Sequence, residues 1–308
     1  MSRSSRAGRA GLPANPSGRS PGRGALALRT AALALVLSAC GSSSGGGSGL
    51  TVPKVAPARQ FAISQFSPTG PLHPRRPVTI SFAIRLPSGR TLTSYRTGPG
   101  PHTGVHLIIV RDDLAYIIHQ HPPITASGLL HQRITFPAPG PYRVLVDAYP
   151  NIPGGQPNFQ LFQNVDVVGA YHPRPLPPFQ ADQVIDGYHF DMQAHPPLHA
   201  IQAAFLHVKV TSPQGRRVDF TPWFGALAHA IFFRQGSLDY FHTHICAPGA
   251  PNCGSLPGVT ATRLTGHATP GRLTIGVLLP VGGTWQLFLQ TQQHGRVLTA
   301  PYTLKVAP

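Results

Sequence analysis

The chain repeats itself, and this constrains its fold more than any other feature. Pro71-Leu72-His73 returns as Pro197-Leu198-His199, an offset of 126 positions (73 to 199). Pro87 and Gly89-Arg90 return at the same offset as Pro213 and Gly215-Arg216. After a three-residue deletion the offset becomes 123 (106 to 229), and His106, Arg111, His119 and His121 fall on His229, Arg234, His242 and His244. Near the end of each copy, residues 136–142 (FPAPGPY) resemble residues 279–285 (LPVGGTW). Each copy is about a hundred residues, a usual domain size. Whatever one copy folds into, the other is expected to fold into as well.

Within each copy the segments are short and rich in β-branched and aromatic residues, and mostly bounded by Pro, Gly or Asp. The first copy offers strands at 78–85, 105–110, 115–119, 133–136, 142–148 and 161–168, and the second at 204–210, 229–233, 238–242, 273–278, 284–290 and 300–306. With 35 Pro, 33 Gly and no Glu in 308 residues, turns and strands are favoured over helices. The expected fold is all-β: two tandem immunoglobulin-like β-sandwiches, at 59–170 and 184–308, joined by a Pro-rich linker at 171–183. Tyr142 and Trp285, just after the Gly-containing turns, are placed to fill the two cores.

The duplicated histidines read H-x12-H-x-H in both copies. If residues 105–110 and 115–121 form a hairpin over a four-residue loop, Val110 opposes Ala115 and His106 opposes His119. His121, two residues further, points to the same face. The second copy places His229 opposite His242, with His244 beside it. Opposed Cβ atoms lie about 5 Å apart, close enough for three imidazoles to share an ion. The spacing therefore makes His106, His119 and His121 one candidate metal site, and His229, His242 and His244 another. A hydrogen-bonded histidine cluster that stabilises the hairpin end is the alternative. His73 and His199 also recur and are possible additional ligands. The unduplicated histidines, His102 among them, are expected to be surface or fold residues.

The N-terminus reads as an export signal. Residues 1–24 are polar and basic, and the apolar run at 32–37 (ALALVL) is too short to span a membrane. It ends in Leu37-Ser38-Ala39-Cys40 and a Ser/Gly tract, which resembles the lipobox of bacterial lipoproteins. That resemblance implies a signal peptide at 1–39, lipidation of Cys40, a tether at 40–58, and anchoring in the bilayer outside the cytoplasm. Six of the 25 basic residues precede Cys40, and the remaining 19 stand against 9 acidic residues, a net of +10. This favours anionic surfaces, such as envelope polymers. Nucleic acid is excluded by the scattered basic residues and the compartment. Cys246 and Cys253, with six residues between them, are expected to form a disulfide in an oxidising compartment, with thiolate ligation of a metal as the alternative.

In the first copy the order is His106, an apolar strand, Arg111-Asp112-Asp113-Leu114, His119-Gln120-His121-Pro122, the turn at 136–142, and a strand reaching Asp147. This resembles exported bacterial domains of the YtkA-like type. The resemblance implies an immunoglobulin-like fold and an association with heavy-metal or copper handling. The second copy departs from it, with Arg234-Gln235-Gly236-Ser237 at the turn and Ile245-Cys246 after the last histidine.

These readings combine into a membrane-anchored extracytoplasmic protein binding Cu(II) or Zn(II), both suited to imidazole ligands, and serving another metal-handling protein. Met192 is the only methionine after the signal, which disfavours a thioether Cu(I) carrier. The alternative is a non-enzymatic interaction module of the cell envelope. An enzyme is not expected, since no paired carboxylates and no G-x-S-x-G nucleophile appear.

Overall fold

A computed structural model describes residues 60–192, 197–248 and 266–308. The signal, the tether, Cys40 and Cys253 lie outside the described residues. Cys246, which is described, is disulfide-bonded.

Every regular element among the described residues is a strand. In the first half, β1 (Ala62–Ser67), β2 (Pro77–Arg85) and β5 (Leu129–Thr135) form one antiparallel sheet in the order β1-β2-β5. β3 (Val105–Arg111), β4 (Ile117–Gln120), β6 (Gly140–Ala148) and β7 (Phe159–Val167) form a second, ordered β4-β3-β6-β7. The alternation in β2 sends Ile80, Phe82 and Ile84 inward. They meet Leu107 and Ile109 of β3 and Tyr142, Val144 and Val146 of β6 in a single core. The result is a sandwich of two sheets.

The second half comprises β8 (Asp182–Ile185), β9 (Tyr188–Asp191), β10 (Leu198–His199), β11 (Ala204–Thr211), β12 (Ala228–Arg234), β13 (Tyr240–Cys246), β14 (Gly266–Thr269), β15 (Arg272–Val277), β16 (Gly283–Gln293) and β17 (Arg296–Ala307). It runs the same order: β13-β12-β16-β17 matches β4-β3-β6-β7, and β9-β11-β15 matches β1-β2-β5. Here the parallel pairing of β13 with β14 joins the two layers into one ten-stranded sheet. The sheet closes over Leu206, Val208 and Val210 from one side and Trp285, Leu287 and Leu289 from the other.

Tyr142 and Trp285 are both fully buried, as expected. Each also anchors its turn: the Tyr142 hydroxyl donates to the Ala138 carbonyl at 2.9 Å, and the Trp285 indole N–H to that of Val281 at 3.1 Å, four residues back in both cases.

β3 (VHLIIVR) and β12 (AHAIFFR) carry unbroken apolar runs because both their faces are buried. Leu107 and Ile109 point into the first core. Ile108 and Val110, on the other face, pack against Ile231, Phe233 and Phe288 of the second half. Leu114, Leu145 and Leu238 complete this third core, with Leu176 of the Pro-rich segment alongside. His106 and His229 share that same face with Ile108 and Ile231, so the two histidine-bearing hairpins look toward each other.

Candidate metal centre

The hairpin register differs from the expectation by two residues. The Arg111 amide donates to the Tyr116 carbonyl at 3.1 Å, so the four-residue loop is 112–115, with Leu114 at φ 62°. The Arg111 guanidinium grips both oxygens of Asp113, at 2.7 and 2.6 Å, and Asp113 also accepts from the amides of Ala115 and Arg174. This acidic side chain fixes the turn one position later than a simple count suggests. His119 therefore opposes Ile108. In the second half His242 opposes Ile231, and His244, rather than His242, opposes His229. A shift of two preserves the face of every side chain, so each trio stays together.

The larger departure is that the trios do not form two separate sites. They meet. Ring centroids of His106 and His242, from opposite halves, are 5.1 Å apart, and those of His119 and His229 are 4.9 Å apart. His106 stacks on His121 at 4.2 Å, and His242 lies 4.3 Å from His244. Two three-histidine groups have ligand nitrogens within 4.8 Å of one another: His106, His119 and His242, and His229, His242 and His244. The second is the trio expected from the repeat; in the first, His242 of the other half stands in the place expected for His121, so that His242 belongs to both.

Carbonyl oxygens beside the rings set the tautomers. A carbonyl oxygen only accepts, so the His106 Nε2–H donates to Pro101 at 2.6 Å and its Nδ1 carries a lone pair. Likewise the His229 Nε2–H donates to Trp223 at 2.9 Å, leaving Nδ1 bare. The His119 Nδ1–H donates to Gln290 Oε1 at 3.1 Å, leaving Nε2 as the acceptor. That Nε2, with Nε2 of His121 and of His244, is buried without a hydrogen-bond partner. Buried orphan nitrogens are costly, and a bound ion or water would satisfy them.

Gln290 and Asp147 occupy matching positions, opposite His229 and His106 in β16 and β6. Each also reaches into the other half. Gln290 holds His119, and Asp147 accepts from Tyr240 at 3.4 Å. Asp147 also takes donors from Asn158, Gln160 and Tyr149, yet burial still pushes its pKa up to about 6.

Burial also drives the imidazoles toward their neutral, ligating form. His106 is pulled down to about 3 and His229 to about 4, both mainly by desolvation. His119, His121, His242 and His244 are lowered by burial too, and each further by its histidine neighbours.

Several members were not legible from the repeat. His102, expected at the surface, is half-buried with its Nε2 3.1 Å from His244 Nδ1, and it stacks on Tyr149. It lacks a counterpart in the other half, which is why the repeat did not mark it. Phe224 stacks on His121 at 3.9 Å, and Trp223 lies edge-on to His119 and His229. Gly225 permits this lid. At φ 78° it lets the backbone approach so closely that an added Cβ would come within 2.3 Å of the Gly100 carbonyl carbon.

His73 and His199 stay out of the cluster. Both are exposed. His199 pairs with Ala307, eight residues along β17 from Thr299, which lies beside Gln290, so roughly 27 Å away. His73 follows Leu72, which bridges Val167 opposite Gly140. Gly140 is seven residues along β6 from Asp147, roughly 24 Å.

A family described as Domain of unknown function (DUF8832) matches residues 182–308, the second half with its β8–β9 hairpin. No curated protein matches the chain. Among solved structures, a Salmonella alpha-2-macroglobulin variant is similar at 12% identity with a TM-score of 0.24, over 82% of this chain and 15% of that one. Invasin, a bacterial integrin-binding protein, is similar at 13% identity with a TM-score of 0.21, over 81% of this chain and 39% of that one. This chain spans less than half the length of either.

Proposed function

We propose that this chain is a metal-binding protein of the cell envelope, anchored through lipidated Cys40, whose centre for Cu(II) or Zn(II) is built jointly by the two halves. The observation that carries the reading is the convergence of bare imidazole nitrogens from both halves onto one buried place. All-nitrogen donors suit Cu(II) and Zn(II). The lipobox-like segment and the YtkA-like pattern favour an exported setting beside other metal-handling proteins, and the net positive charge favours an anionic envelope surface.

The reading is binding rather than catalysis. Asp147, the carboxylate opposite His106, is occupied by four donors and has none of the freedom a general base needs.

The test is calorimetric titration of the purified chain with Cu(II) and with Zn(II). His106→Ala and His229→Ala are each expected to weaken binding, and a variant carrying both to lose less than the sum, since both rings serve one centre. Unchanged affinity in both single variants would remove the reading.

A further inference from the structure

The shared histidine leads to a more specific arrangement, which rests on the proposed function. We infer that the centre is dinuclear and that His242 bridges the two ions as an imidazolate, one ring nitrogen to each.

Three observations carry this. His242 is common to both three-histidine groups, while the other members divide cleanly, His106 and His119 on one side and His229 and His244 on the other. Its two nitrogens face different partners: Nδ1 lies 3.3 Å from His106 Nδ1, and Nε2 lies 3.4 Å from His229 Nδ1. Both partner nitrogens are bare, because their rings give their protons to the Pro101 and Trp223 carbonyls. A neutral His242 has one proton, so it can donate across only one of the two gaps. Across the other, two lone pairs face each other.

The distances identify what belongs in the gaps. Two ligand nitrogens held by one tetrahedral ion at about 2.0–2.1 Å lie about 3.3 Å apart. Both observed separations match that figure. The ring nitrogens of one imidazole diverge too widely to ligate a single ion, so filling both gaps takes two ions, about 6 Å apart given those bond lengths. When the second ion binds, it takes the electron pair of the nitrogen that carried the proton, and that proton passes to the solvent. Nearby cations make this loss favourable. The ions then have His106, His119 and His242, and His229, His244 and His242, as ligands.

The experiment is a Cu(II) titration of the full chain near neutral pH, read by bound copper per chain and by integrated electron paramagnetic resonance. Saturation is expected at two ions per chain. The spin count should rise with the first equivalent and fall below the copper count with the second, because the bridge couples the two spins. Filling the second position with Zn(II) should restore one uncoupled copper signal. His242→Ala, if it folds and binds copper, should show no coupling at any loading. Saturation at one ion, or two ions with full uncoupled spin, overturns the bridge and leaves the proposed function standing. If copper does not bind, a Zn(II) saturation of one ion per chain overturns the bridge alone, and binding of neither metal overturns both. If His242→Ala does not fold, stoichiometry and spin count in the unaltered chain still decide.

Discussion

Lowering the pH in a metal-free solution should destabilise this protein far more steeply than its exposed histidines would explain. An unfolded histidine takes up a proton near pH 6.5, whereas His106 and His229 remain neutral in the fold down to about 3 and about 4. Between those limits the unfolded state binds more protons, so the stability present above pH 6.5 drains away as pH falls. From about pH 7.5 to about pH 4.5 the two histidines together withdraw about 5 kcal/mol. Asp147 acts in the opposite sense. Its folded pKa is raised to about 6 from 3.8, so the fold gains protons there first and recovers about 2 kcal/mol over the same interval. The net for these three groups is a loss of about 3 kcal/mol, to which the four other lowered histidines add.

Urea denaturation with a chelator present, followed by the fluorescence of Trp223 at the centre and Trp285 in the second core, measures this. A midpoint shift of roughly 1 M or more is expected over the interval. Asp147→Asn should steepen the loss between pH 6 and 4 by removing the opposing group. A midpoint that stays put between neutral and mildly acid pH would refute the account of the cluster as buried neutral imidazoles.

Two further outcomes follow from the geometry. Gln290→Leu removes the acceptor that holds His119 with Nε2 bare, and should weaken metal binding about 10–100-fold with little change in the far-ultraviolet spectrum, measured by competition with a chromophoric chelator. Gly225→Ala places a Cβ against the Gly100–Pro101 backbone, and should cost about 1–3 kcal/mol while also lowering metal affinity. Gly236→Ala is equally strained in φ but open in space, so it should cost stability alone.

The strand pattern was readable wherever one face of a strand is apolar and the other wet. β2 and β11 were placed within a residue or so, and the inward positions of Tyr142 and Trp285 followed from the turns before them. The unexpected strands β8 and β9 announce themselves by a turn rather than by an apolar run. The β8–β9 hairpin turns on Asp186-Gly187, both at positive φ, a two-residue connection that the Asp-Gly pair does announce. β1 is short and half-polar, and takes its stability from pairing with β2. In the site, periodicity assigned each histidine to the correct face, since a shift of two cannot change it. It could not say what covers that face. The clue was present in β3 and β12, whose unbroken apolar runs require a partner on both sides, and the partner of each hairpin is the other.

On the proposed function, metal binding and the packing of the halves are one equilibrium. The groups that fix His119 and Tyr240 come from opposite halves, and Ile108, Val110, Ile231 and Phe233 bury the rest of the shared face. A ligand that binds only the joined form stabilises it by about 4 kcal/mol at a thousandfold excess over its Kd. Without the ion, the apolar contact and these hydrogen bonds must hold His106 Nδ1 at 3.3 Å from His242 Nδ1. The segment closest to that difference is the lid at Trp223 and Phe224, which touches the rings of both halves. Hydrogen exchange at Leu227, whose amide pairs with Ile245 beside the lid, should therefore slow on adding Zn(II), whereas Val208, deep in the second core, should change only with global stability. Equal slowing at both positions would mean that the ion stabilises the chain as a whole and that the lid has no separate opening, which would break the link drawn here between the centre and the junction.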